Sequence, residues 1–361
     1  MDKFAFVIHP ITIEDVTRKF PVAKRLPQFV VERALRLLPP FKVSDITGVK
    51  ASGNEIAGEF IACPLTSGQL LGLPGEVTLQ KIIHSVKLAE KNGARIVGLG
   101  ALTSVVGDAG ITVAKNVGVP VTTGNSYTVY TALEGTRKAA QLMNMEWSKA
   151  NIVILGATGS IGSVCAQFIA RENRYLTLVA RQQSKLEGLA NKLLYEYGVA
   201  VKITSNIREA IRKADIIIAV TSSLDAVVHP EDLKPGSIVC DVARPRDVSY
   251  RVALERNDVL VIEGGVVDVP GDPDFHFNFG FPRGKAYACM AETMILTLEK
   301  KFVCFSLGRE MTIEQVEEMG RLAGKHGFKL SGFRSFERAL TMEEISSIQD
   351  NARRAQLKLT V

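Results

Sequence analysis

The chain has 361 residues, 46% hydrophobic and 23% charged, ordinary values for a globular protein with room for two domains. It offers no uninterrupted apolar run long enough to span a membrane, and Met1–Pro10 lacks the core and cleavage site of a signal peptide, so a cytoplasmic protein without an integral membrane segment is expected. The net charge of +6 favours acidic partners such as phosphates, an acidic carrier protein or an anionic surface; the scatter of the cations and the 7% aromatic content argue against nucleic acid.

Phe4–Ile8 reads as a buried strand, and Gly58–Cys63 as a second. A helix is predicted over Thr78–Lys91, with Ile82, Ile83, Val86 and Leu88 inward and Asn92-Gly93 as its stop. Arg95–Gly100 is then a short strand running into the loop Ala101–Ser104, and Val119–Asn125 repeats that plan. A connecting helix over Thr128–Met143 leads to Asn151–Leu155, which has the character of a central parallel strand. Strands follow at Tyr175–Ala180, Ala214–Val220, Ser237–Val242 and Val259–Ile262, separated by helices that include Ser184–Tyr197 and Ile207–Lys213. After the Pro/Gly/Phe-rich stretch Pro270–Gly284 come helices over Lys285–Lys301 and Thr312–His326, then a polar tail from Thr341.

This alternation predicts an α/β protein: a Rossmann-type doubly wound NADP-binding domain plus an N-terminal α/β substrate domain completed by C-terminal helices. The expected divisions are 1–130 for the substrate domain, 131–284 for the nucleotide domain and 285–361 for a helical segment packing back on the N-terminal domain.

Leu155 runs directly into Gly156-Ala157-Thr158-Gly159-Ser160-Ile161-Gly162-Ser163. Glycines three apart let the chain turn tightly off a strand, let backbone approach a pyrophosphate, and let the new helix pack on the sheet. The first helical N–H groups then face the phosphates. After the next strand stands Arg181, with Lys185 one turn on, where an acidic residue would bind the ribose hydroxyls of NAD. An arginine there accommodates a 2′-phosphate, which favours NADPH. Thr221-Ser222-Ser223 falls where a loop would pass the nicotinamide ribose, or is equally a simple turn, and Gly264-Gly265 after the last strand completes the expected cofactor contacts.

The five cysteines are Cys63, Cys165, Cys240, Cys289 and Cys304; their odd number and wide spacing argue against a disulfide framework, and no pattern of zinc ligands is present. Cys165, Cys240 and Cys304 read as small core residues. Cys289 differs: it falls in the first turn or so of a predicted helix, close to Arg283 and Lys285, and both the helix terminus and the cations stabilise a thiolate.

Several stretches together resemble the cyanobacterial long-chain acyl-[acyl-carrier-protein] reductase family. They are Leu99–Ser104, Thr122–Thr128, Gly156–Ser163, Gly264–Val267, Ala288–Glu292 and Ser306–Arg309, with Ile313–Gln315 and His326–Phe328 further on. Arg334–Val361 lies outside the resemblance, and Pro10–Ala57 matches it loosely. The resemblance implies that Cys289 takes an acyl group as a thioester, that NADPH hydride releases a fatty aldehyde, and that the partner is an acyl carrier protein or coenzyme A thioester. Such chemistry needs oxyanion donors, for which Ser104, Thr123 and Asn125 are candidates, or else loop-forming residues; His9 is a candidate proton donor or, equally open, a packing histidine at the end of its strand. Two other readings stay open. One is a shikimate/quinate-type dehydrogenase, whose lysine–aspartate pair neither Lys50 nor Lys91 supplies in a convincing motif; the other is a non-catalytic NADP-binding protein. Oligomeric state is not legible, and peripheral membrane contact is left open with no amphipathic anchor evident.

Overall fold

A computed structural model describes residues 1–359 of the protein. The chain divides into two compact units: Met1–Tyr127, Val267–Glu310 and Glu317–Lys329 form the first, and Thr128–Val266, Met311–Val316 and Leu330–Val361 the second.

The first unit is built on a mixed sheet. Its strands are β1 (Asp2–Ile8), β2 (Phe41–Ala51), β3 (Asn54–Ala62), β4 (Ile96–Leu99) and β5 (Val121–Thr122), with Gly271–Asp274 added at one edge. Across the sheet the order is Gly271–Asp274, β2, β3, β1, β4, β5. β1 pairs in parallel with β3 and β4, and β4 with β5, whereas β2 runs antiparallel to β3. Phe4, Phe6 and Phe60 fill one face of this sheet and pack with the helix Ala288–Leu298; Ala5, Val7, Ile61 and Val97 face the helix Gly75–Lys91 on the other. This two-sided burial is why β1 and β4 read as continuous apolar runs.

In the second unit the strands β6 (Ile152–Leu155), β7 (Leu176–Val179), β8 (Lys202–Thr204), β9 (Ile216–Ala219), β10 (Ile238–Asp241) and β11 (Leu260–Glu263) form a wholly parallel sheet in the order β11-β10-β9-β6-β7-β8. From β6 the chain winds outward through β7 and β8, then returns to β9 and winds the other way. This is the doubly wound arrangement expected, and its strand order reverses between β6 and β9.

Some expectations need correction. The segment 285–361 does not act as one piece: Leu330 onward belongs to the nucleotide unit, because Phe333, Ile345 and Ala352 are buried in the same core as Ile154 and Ile218. Val267–Gly284, assigned by sequence to the nucleotide domain, joins the first unit, where Phe275 stacks on Phe60 with ring centroids 6.0 Å apart. Cys304 is exposed, in a loop without regular structure, whereas Cys165 and Cys240 are buried as expected.

Candidate functional site

The helix Ala288–Leu298 is buried at every position except Cys289, which is partly exposed. It is apolar nearly throughout, so it lies inside the first unit and not on its surface. Gly98 makes room for it: a Cβ at 98 would stand 2.2 Å from Thr293 Oγ1 and 2.5 Å from Phe6. The N-cap Tyr287 has extended backbone and no side-chain cap, so the first-turn N–H groups beside Cys289 receive no hydroxyl or carboxylate from it.

The loop after β5 lies directly against this helix start. Gly124 has φ +74°, and a Cβ there would lie 2.3 Å from Cys289 Cα and 2.4 Å from Cys289 Cβ. Only glycine fits, on both counts. The two stretches Thr122–Asn125 and Ala288–Glu292, far apart in sequence, are thus in backbone contact at the cysteine.

Glu292, one turn along from Cys289 and fully buried, ties these parts together. The Thr122 hydroxyl donates to its Oε1 at 2.5 Å, and Ser306 Oγ lies 2.8 Å from the same oxygen. The Ser126 hydroxyl at 2.7 Å and the Tyr127 N–H at 2.9 Å donate to Oε2. The Tyr127 amide is in the first turn of the helix Asn125–Leu142, so the carboxylate also satisfies an N–H that this helix cannot pair internally. Neither Ser126 nor Ser306 was singled out from sequence for a role of its own; the glutamate of the Ala288–Glu292 motif was the available signal.

The sequence-predicted oxyanion donors and proton donor fall in the same unit. Ser104 Oγ donates to Ala101 O at 2.7 Å inside its own short turn, and Thr123 Oγ1 donates to Ser306 O at 2.5 Å, so both hydroxyl protons serve the loops themselves. Asn125 is buried at the first position of its helix. His9, a candidate proton donor or packing histidine from sequence, takes the packing role. The Leu102 N–H donates to His9 Nε2 at 3.1 Å, and Nδ1 lies 3.0 Å from Pro10 O. Nε2 is therefore the acceptor and Nδ1 carries the proton, toward a carbonyl. Burial pushes the His9 pKa down to about 4, so the ring is neutral at ordinary pH and holds the loop after β4 in place.

In the second unit the glycine loop follows β6 as expected. The N–H groups of Gly156 and Ala157 donate to Val179 O at 2.9 and 3.0 Å, tying the loop to the end of β7. Gly156 has φ +80° and abuts β9: a Cβ there would meet Val220 O at 2.7 Å. At Gly162 a Cβ would lie 2.5 Å from Gly156 O, so the helix Ser160–Ala170 starts in close contact with the turn. Thr158, Ser160 and Ile161 are partly exposed and Gly159 is exposed, leaving the loop and the helix N-terminus open to a ligand at the β6/β9 reversal. These features fit a pyrophosphate approached by backbone.

Arg181 and Lys185 are both exposed just beyond β7. Thr221 is held by a residue not anticipated from sequence: its N–H and Oγ1 donate to the two carboxylate oxygens of buried Asp247 at 2.8 and 2.5 Å. Burial is the largest influence on that carboxyl and pushes its pKa up to about 6, against the pull of the Thr221 donors. Ser222 is exposed beside it. Gly264 follows β11, where a Cβ would meet Val242 at 2.6 Å, and Gly265 has φ +82°.

The family model described as Shikimate / quinate 5-dehydrogenase matches residues 137–263. Across 96% of its length the chain is 28% identical to the aminotransferase PigE of Serratia sp., but it spans only 42% of that protein. It is 29% identical to the long-chain acyl-[acyl-carrier-protein] reductase of Synechococcus elongatus, over 81% of this chain and 87% of that one. A glutamyl-tRNA reductase of Methanococcus maripaludis is 33% identical over 33% of this chain and 31% of its own. The chain is thus similar to proteins named as reductases, and most of its nucleotide unit to a dehydrogenase family.

Proposed function

We propose that the protein reduces a fatty acyl thioester to a fatty aldehyde, with the acyl group held on Cys289 and NADPH as reductant. The observation that carries this reading is the contact of Gly124 with the backbone of Cys289, the one partly exposed residue of an otherwise buried helix. Glycine at this point lets the loop Thr122–Asn125 pack directly on the backbone of Cys289, closer than any side chain would allow. Similarity to the Synechococcus reductase along most of both chains supports the same substrate class.

In this reading the Cys289 thiolate attacks the thioester carbonyl, the new C–S bond forms, and the carrier leaves as a thiol with the proton Cys289 gave up. The first-turn N–H groups of Ala288–Leu298 and the Asn125 side chain are the donors proposed for the oxyanion. The Gly156–Gly162 loop would hold the pyrophosphate, Arg181 and Lys185 the 2′-phosphate, and Thr221, Ser222, Gly264 and Gly265 the nicotinamide end. NADPH, when bound, supplies the hydride that reduces the acyl carbon. Cys289 then departs as thiolate and is ready for the next acyl group. Acyl carrier protein and coenzyme A are both acidic, and the net charge of +6 suits either.

The shikimate/quinate reading is the less favoured one. The family match is confined to 137–263, a nucleotide fold that many chemistries share, and Lys50 is paired with Glu55 at 2.8 Å on the sheet. Mass spectrometry after incubation with acyl-coenzyme A and no NADPH separates the two. An acyl adduct that disappears, together with turnover, in Cys289→Ala supports the covalent route. No adduct, with normal turnover by the variant, defeats it.

A further inference from the structure

Residues 18–38 carry six cations (Arg18, Lys19, Lys24, Arg25, Arg33 and Arg36) and a single acid, Glu32; their local charge of +5 compares with +6 for the whole chain. The same stretch holds large apolar side chains in water: Val22 and Phe29 are each 70% exposed and Leu37 78%. The cations are thus not scattered, and an amphipathic element is present after all. Pro21 and Pro27 break the segment into short pieces, Ile13–Lys19, Pro21–Arg25 and Gln28–Leu37, so no long helical period shows in the sequence.

The helix Gln28–Leu37 turns Val31 and Leu35 inward onto Val16 and Ala23, a small core of its own. Phe29, Arg33 and Leu37, four residues apart, share the opposite face, with Arg36 beside them. The turn Pro21–Arg25 likewise buries Ala23 and presents Val22, Lys24 and Arg25.

The segment leaves the sheet at the C-terminal end of β1 and re-enters it at Phe41, which pairs with Ala62 at the C-terminal end of β3. Because β1, β3, β4 and β5 are parallel, this is also the edge at which the loops carrying Gly100 and Gly124 emerge. The basic, apolar hairpin therefore stands at the edge of the first unit where Gly124 meets Cys289.

We propose that residues 20–38 seat the protein on an anionic lipid bilayer, with Lys24, Arg25, Arg33 and Arg36 among the headgroups and Val22, Phe29 and Leu37 below them. A second copy is disfavoured as occupant because two such basic surfaces repel. An acidic protein would pair with the cations but would need shaped pockets for the protruding apolar side chains, which a bilayer accepts without shape. The surface argument is independent of the reductase reading. Only the use we give it, passage of an apolar chain between bilayer and Cys289, rests on that reading.

The test is sedimentation of the full chain with vesicles of phosphatidylcholine alone or mixed with phosphatidylglycerol, without thioester or NADPH. Wild type is expected to sediment with the anionic vesicles only, and less as salt rises. Phe29→Ser/Leu37→Ser is expected to stay in the supernatant, and Arg33→Gln and Arg36→Gln to weaken binding about fivefold each. All three variants should keep the wild-type circular dichroism and turnover of a short, soluble acyl thioester. The proposal falls if wild type ignores phosphatidylglycerol or if the serine variant binds as wild type does. It also falls if the arginine variants lose affinity for acyl carrier protein while vesicle binding is unchanged. Failure of the Cys289 adduct test would leave vesicle binding untouched, so the two readings fail separately.

Discussion

Replacing Glu292 by alanine would remove the acceptor of the Thr122 and Ser126 hydroxyls and of the Tyr127 N–H, and would leave Ser306 without it. Each stranded buried donor costs about 1–3 kcal/mol, so Glu292→Ala is expected to lose about 4 kcal/mol or more in urea unfolding. Glutamine keeps one oxygen for the fixed Tyr127 N–H, and the rotatable hydroxyls can turn to accept from its amide, so its loss should be nearer about 1 kcal/mol. As a positioning residue for Cys289, Glu292 should affect kcat while leaving the KM for NADPH unchanged in the glutamine variant. His9 gives a second handle. Its pKa is about 4 when folded against 6.5 unperturbed, so between these values the unfolded chain binds more protons. Stability therefore falls as pH drops from 6.5 toward 4, by up to about 3 kcal/mol from this group. His9→Asn should flatten that part of the unfolding free energy against pH, and an unaltered slope would refute the buried neutral ring.

Among the elements, the turn from β6 into Ser160–Ala170 and the basic pair beyond β7 together make the clearest cofactor prediction. Arg181→Glu should raise the KM for NADPH far more than that for NADH, by tenfold or so if one charge-assisted contact of about 1.5 kcal/mol is lost. An unchanged ratio of the two would remove Arg181 from the site. The same strands show what the sequence makes legible. β1, β4, β6, β9, β10 and β11 are short and buried, so their apolar runs mark them directly. β2 escaped notice because Ser44, Asp45, Thr47, Gly48 and Lys50 interrupt its pattern, as its mostly unburied positions permit. Cys289 was visible through its motif and helix start. The partners of Glu292 were not: Thr122, Ser126 and Tyr127 lie 165–170 residues away, and no local period reports such a convergence.

At the scale of the whole molecule, the C-terminal segment is a structural part of the nucleotide unit. The Glu337 N–H donates to buried Glu263 at the end of β11, Asn351 Nδ2 donates to Asn257 O, and Gln356 Nε2 to Pro235 O. Removing everything after Lys329 uncovers the core contacts of Phe333, Ile345 and Ala352, at a cost of about 5 kcal/mol from the two large side chains alone. Such a truncation is expected to lower the melting temperature and abolish NADPH binding, as measured by thermal unfolding and fluorescence titration. Retention of both would mean that the tail is dispensable.

The chain also crosses between its units five times, at Tyr127, Val266, Glu310, Val316 and Lys329. On the ribosome, the first unit lacks its last contacts until Lys329 has emerged, and the second until the final helix Met342–Leu359 is out. The first unit, although it begins the chain, cannot finish before most of the second has been made. The last strands of the two sheets, Leu260–Glu263 and Gly271–Asp274, emerge almost together, and until then the nascent chain carries apolar strands in need of protection.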